Sequence, residues 1–184
     1  MFFFDKEIEI GNIKPRSVEH GYLAILNDDI TAAAAVFESI DSPRAKWGKA
    51  MTDIISGYIE KYPTYFEIRN FLEIDLDFLI KNEKINYTEQ VLSSLDFLSS
   101  INQEVYKYTA RVMLINKLNN AAFEYMEKSK KCFYQDPELH FMLSKYYLGE
   151  NDYKMSEYYI NECLKIIPSY FPAIQLKKML YNKL

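Results

Sequence analysis

The sequence predicts an all-α fold of about ten antiparallel helices, and three observations predict it. Apolar residues recur at helical spacing in segment after segment, most of them opened by a recognisable cap. Only 5 Gly and 6 Pro punctuate 184 residues, which suits long helices with short connections better than a turn-rich β architecture. Pro137 to Tyr170 reads as helix, polar turn, amphipathic helix and proline. Such a unit cannot cover its own apolar face and must stack on neighbours.

The first helix runs from about Ser17 to Leu26, and DITAAAAVFESI opens the second near Asp29, with Ala32 to Ala35 permitting close approach of a neighbour. Ser42 before Pro43 is an N-cap with a first-turn proline, opening a helix through Lys61. Thr64 with Glu67 forms a capping box for a helix to about Asn82. Inside it, FLEIDLDFLI alternates apolar and acidic residues like a strand. A lone strand among helices would leave its backbone groups unpaired, and Asp75 and Asp77 suit a strand poorly, so helix is predicted. Asn86 with Glu89 repeats the capping signal for a helix to about Ser100, with Val91, Leu92, Leu95 and Leu98 inside. Gln103 to Lys117 and Asn119 to Tyr134 pair about the turn KLNN. Asp136 and Pro137 cap the next helix, and Asn151 and Asp152 start its partner, which Pro168 stops. A last helix, 171–183, carries Lys177, Lys178 and Lys183, as a solvated terminal cap would. Residues 1–16 read as an extended or docking segment and 17–184 as one helical-repeat domain.

Composition narrows the function. With 49% hydrophobic and 26% charged residues the chain is globular in character, neither disordered nor membrane-embedded. A net charge of −4 gives no general attraction to nucleic acid or anionic lipid, so neither is predicted as a partner. No apolar run approaches a membrane span, and the opening MFFFDKEIEI lacks the basic start of a secretory signal; a cytoplasmic protein is predicted. Cys132 and Cys163 stand in no redox or metal spacing, so no disulfide is expected. With His20 and His140 they are the only Cys and His in the chain, too scattered for a metal site, and the five glycines form no phosphate loop. Glu73 and Asp77, one turn apart, are the best candidate paired carboxylates, but beside Lys81 and Lys84 they read as a solvated face. Tyr146, Tyr147, Tyr158 and Tyr159 read as packing between helices rather than as a stacking platform for nucleic acid. No cofactor, metal or catalytic residue is predicted.

The unit from Pro137 spaces His140, Leu143, Ser144, Tyr147, Ser156, Ile160, Cys163 and Pro168 at regular packing intervals, and on these residues the C-terminal half resembles the tetratricopeptide repeat family. The unit from Gln103 places Tyr106, Thr109, Ala110, Met113, Ala122, Met126 and Ser129 there, with Tyr134 where a proline is usual. Upstream, LNDDITAAAAVFESIDSP resembles a further turn and second helix, with Ala33 and Phe37 in packing places. The resemblance implies a short right-handed solenoid, a TPR-like alpha-alpha superhelix. Its clearest units are 103–136 and 137–170, followed by a capping helix at 171–183. Counting helices back from Gln103 leaves one too many, so an irregular middle section is expected, with an irregular or extra helix around Pro43 to Asn82.

In that family, ligand-facing side chains project from the first helix of each unit, and the matching places carry Lys107, Arg111, Leu114, Phe141, Lys145 and Leu148. The resemblance therefore implies a non-catalytic scaffold that binds a protein or peptide partner in this groove. Lys107 and Arg111, four apart on one helix face, would hold an acidic or C-terminal carboxylate group while the apolar residues grip the rest. Two other readings stand beside it. One is a small homodimeric secretion or assembly chaperone. The other is an enzyme or nucleotide-responsive protein whose site gathers Glu73, Asp77 and the helix starts near Ser42 and Thr64.

Overall fold

The computed structural model describes residues 17–181, so the expectations for residues 1–16 and for Lys183 lie outside it. The described residues form eleven α-helices and no strand. They are α1 (Val18–Leu26), α2 (Ile30–Glu38), α3 (Pro43–Ser56), α4 (Tyr65–Lys81), α5 (Ile85–Ser93), α6 (Leu95–Ser99), α7 (Val105–Ile115), α8 (Asn119–Cys132), α9 (Pro137–Gly149), α10 (Tyr153–Ile166) and α11 (Phe171–Tyr181). The chain divides into two compact units between Ser94 and Leu95. In the N-terminal unit α1 packs on α2, α2 on α3, and α3 on α4 and α5. In the C-terminal unit α7 packs on α8, α8 on α9, α9 along α10, and α10 on α11, while the short α6 rests on α7. No helix among the described residues is long and apolar enough to cross a membrane.

Four helical hairpins share one turn. Asp28, Glu83, Lys117 and Asn151 are left-handed, with φ of 62°, 55°, 60° and 61°. Each donates its own N–H to the carbonyl three residues back, at Ile25, Ile80, Leu114 and Leu148. The following N–H then reaches back across the whole turn: Asp29 to Ala24 (2.9 Å), Lys84 to Leu79 (2.9 Å), Leu118 to Met113 (2.8 Å) and Asp152 to Tyr147 (2.9 Å). This double closure satisfies the last helical carbonyls and reverses the chain tightly enough for two helices to lie antiparallel. Glu83, Lys117 and Asn151 stand 34 residues apart, whereas Asp28 precedes Glu83 by 55, and the longer interval holds α3.

Close approach within the hairpins comes from paired small residues twelve apart. Gly21 and Ala33 join α1 to α2, Ala110 and Ala122 join α7 to α8, and Ser144 and Ser156 join α9 to α10; all six are buried. Four residues after the second member of each pair a large side chain fills the groove: Phe37, Met126 and Ile160. The serines need partners because they are sealed from water. Each hydroxyl donates to the other's carbonyl at 2.8 Å, so the buried polar groups are satisfied across the helix pair.

Phe37 is held on two sides. A Cβ at Gly21 would lie 2.4 Å from its ring and one at Gly48 2.8 Å, so the ring cannot retreat from one helix without striking the other. Gly21→Ala gains about 1 kcal/mol of helix propensity but overpacks the slot by up to about 3 kcal/mol. A net loss of about 2 kcal/mol is expected, read as an earlier urea midpoint in Trp47 fluorescence.

Three helix boundaries differ from expectation, each for a local reason. The helix from Pro43 ends at Ser56 rather than Lys61, because Gly57 takes φ 75° and closes it with a left-handed cap. Asn86 is no N-cap: α5 begins at Ile85 behind Lys84, and no side chain caps it. The single helix expected to reach Ser100 breaks at Ser94. There the hydroxyls of Ser93 and Ser94 donate to the carbonyls of Gln90 and Val91, competing with the backbone ladder. The segment FLEIDLDFLI is helical throughout, inside α4.

Candidate functional site

The six predicted groove residues lie on α7 and α9, and the N-terminal ends of these helices are tied by ion pairs. Lys107 is only 5% exposed. Its ammonium donates to Asp136 Oδ2 at 2.5 Å and Glu104 Oε1 at 2.7 Å, with Glu138 Oε2 at 3.5 Å. Burial pulls the Lys107 pKa down, but the Asp136 and Glu104 carboxylates outweigh it and hold the pKa above the ordinary lysine range. Arg111 donates to Glu138 Oε1 at 2.8 Å and lies 5.3 Å above the Tyr108 ring. Asp136 does double duty, since its Oδ1 caps α9 by accepting from the backbone N–H of Glu138 (2.9 Å) and Leu139 (3.2 Å).

The other four residues fall into two kinds. Phe141 and Leu148 are half-buried against the core formed by Ile160, Cys163, Ala173, Leu176 and Leu180, and Phe141 meets the Tyr170 ring edge-on at 5.6 Å. Leu114 is half-buried on α7, while Lys145 is exposed. The structure thus puts all six on two neighbouring units of one compact body, but it engages Lys107 and Arg111 with the protein's own acids.

Among the described residues, the most buried charged side chain is one that sequence reading passed over. Asp75 on α4 is 1% exposed. Arg44 pairs with its Oδ1, while Tyr22 Oη (2.8 Å) and Trp47 Nε1 (2.6 Å) both donate to its Oδ2. Burial pushes the Asp75 pKa up against the opposing pull of Arg44 and these donors. Arg44 also lies over the rings of Tyr22 (4.7 Å) and Phe71 (4.9 Å), so one carboxylate gathers α1, α3 and α4. Its neighbour Asp77, the predicted candidate, instead pairs with Lys81 at 2.8 Å on the helix surface. A groove of about 770 Å³ lies between α2, α3 and the loop before α4. Thr64 lines it, whereas Ser42, Glu73 and Asp77 do not. Its Lys46 and Lys49 are paired with Asp41 (2.7 Å) and with Asp53 (2.8 Å).

His140 is wholly buried between Tyr134, edge-on at 4.8 Å, and Tyr159, stacked at 5.9 Å. Burial lowers its pKa, against the opposing influence of Tyr134's backbone, Glu162 and Asp136, while Lys130 adds to the lowering. The folded protein therefore resists a proton that the unfolded chain accepts below pH about 6.5. The stability of this unit is expected to be full above that pH and to fall as pH drops through it. His140→Phe should keep the ring packing and flatten the decline, measured as urea midpoints by circular dichroism across that range.

Cys132 is an exposed free thiol and Cys163 a buried one whose pKa burial raises to about 11. No group of three His, Cys, Asp or Glu among the described residues is placed to hold a metal ion. The fold and site together define an all-α protein whose described helices pack against their neighbours within each unit. Compared with family models, curated proteins and solved structures, the chain finds no match in any of the three.

Proposed function

We propose that this protein is a tetratricopeptide-like superhelical scaffold that holds a peptide or protein partner on the face of α7 and α9 and performs no chemistry of its own. The observation that carries the reading is the recurrence, at 34-residue intervals, of one left-handed turn at Glu83, Lys117 and Asn151. At Lys117 and Asn151 the period comes with paired small residues, as in stacked two-helix units, whose successive first helices present one aligned surface to a partner. Affinity comes from apolar contact along Leu114, Phe141 and Leu148, and charge sets the partner's register. The reading places the protein in the cytoplasm, where its thiols stay reduced.

A photo-crosslinking side chain at Leu148 tests it, with the same group at exposed Lys154 on α10 as control. In extract from the source cells, Leu148 is expected to capture one discrete polypeptide and Lys154 not to capture it. Capture of that polypeptide from Lys154 alone, or of none from either, would remove the face of α7 and α9 as the binding surface.

A further inference from the structure

The inference concerns what the α7 and α9 face recognises, and it rests on the scaffold reading above. Helices α7, α9 and α11 recur in the 34-residue frame, so Arg111, Lys145 and Met179 hold matching places on successive helices, as do Leu114 and Leu148. The N-terminal end of this surface is electrostatically full. Lys107 and Arg111 are two cations set among three acids, Glu104, Asp136 and Glu138, at 2.5 to 3.5 Å. A further carboxylate brought there would meet a net negative cluster and would have to break buried ion pairs to enter.

Lys145 is different. It is exposed, makes no ion pair among the described residues, and has only the Phe141 ring beneath its ammonium, at 5.9 Å. On its own helix Phe141 and Leu148 flank it, both half-buried; the matching place on α7 is Arg111, which Glu138 engages, and that on α11 is Met179, 56% exposed. An anionic group reaching this surface finds one uncompensated cation in an apolar setting, where partial desolvation strengthens a single charge contact.

We propose that Lys145 is the sole charge contact for a partner segment that is otherwise apolar and carries one Asp or Glu. Specificity then lies in the spacing between that acid and the partner's large apolar side chains, not in a terminal carboxylate held by several cations.

Short random peptides displayed on phage and selected on the full-length chain test this. The enriched sequences are expected to share large apolar residues and one acid at fixed spacing. Lys145→Glu should weaken the selected peptide about tenfold, and replacing the peptide's acid by lysine should restore binding to that variant. Lys145→Gln, which introduces no repulsion, should show a smaller loss, and unchanged circular dichroism would confirm that both variants fold. Peptides that bind with no response to either substitution, or that owe their binding to a free C-terminus, overturn the Lys145 assignment while leaving the scaffold reading intact. If no peptide is enriched and the Leu148 crosslinker also captures nothing, both fall.

Discussion

Replacing Asp75 with alanine is expected to destabilise the N-terminal unit by about 3 kcal/mol. The carboxylate is the shared acceptor of Arg44, Tyr22 and Trp47, and its loss strands one charge and two buried donors at once. Breaking a buried ion pair from one side costs about 3–5 kcal/mol; the lower end applies because the Arg44 side chain is 21% exposed and recovers some hydration. The upward pull of burial on the Asp75 pKa shows that desolvation weighs heavily against the pair's attraction. Removing both charges should therefore be far milder, and a double Asp75→Leu, Arg44→Met chain is expected to regain most of the loss. Asp77→Ala serves as the contrast: its partner Lys81 is well exposed, so the loss should be well below that of Asp75→Ala. Trp47, the only tryptophan, donates directly to Asp75, so urea titrations followed by its fluorescence report all three variants. An Asp75→Ala midpoint equal to the parent's would show that this cluster does not hold α1, α3 and α4 together.

Helix existence was legible in the sequence because caps and periodicity are local. The Thr64 and Glu67 box forms both of its bonds, Ser42 accepts from the Ala45 N–H, and Asp136 and Asp152 cap where expected. Side-chain pairing across helices was not legible, because it depends on which faces meet. Asp75 looked like one acid among several in FLEIDLDFLI, and only the arrival of α1 and α3 on its side of α4 turns it into a buried acceptor. Gly21 carried a usable signal, since it precedes Ala33 by the same twelve residues that separate Ala110 from Ala122 and Ser144 from Ser156. Lys107 and Arg111 lie on α7, but apart from Glu104, three residues before Lys107, the acids that engage them come from 27 to 31 positions further along the chain. Asp136 and Glu138 are drawn in by the start of α9.

That difference gives the second large effect. Asp136→Ala is expected to destabilise the C-terminal unit by about 3 kcal/mol, the sum of two losses. Removing the cap leaves the N–H groups of Glu138 and Leu139 unpaired at the start of α9, worth about 1 kcal/mol. Lys107 then loses its shortest partner but keeps Glu104 and Glu138, so a single charge-assisted bond, about 2 kcal/mol, is the appropriate magnitude rather than that of a fully stranded ion. Asp136→Asn separates the two, because its amide oxygen can keep the cap on α9 while the charge facing Lys107 is lost, and it should cost less than Asp136→Ala in urea melts followed by circular dichroism. The same logic decides how binding must be tested. Charge reversal at Lys107 would place a fourth acid beside Glu104, Asp136 and Glu138 in a nearly closed site, so any lost binding would report lost structure. Lys145 carries no such burden, which is why the partner's acid is sought there. An Asp136→Ala chain as stable as the parent would mean that Lys107 is not committed to the fold, and would return it to the surface available for a partner's carboxylate.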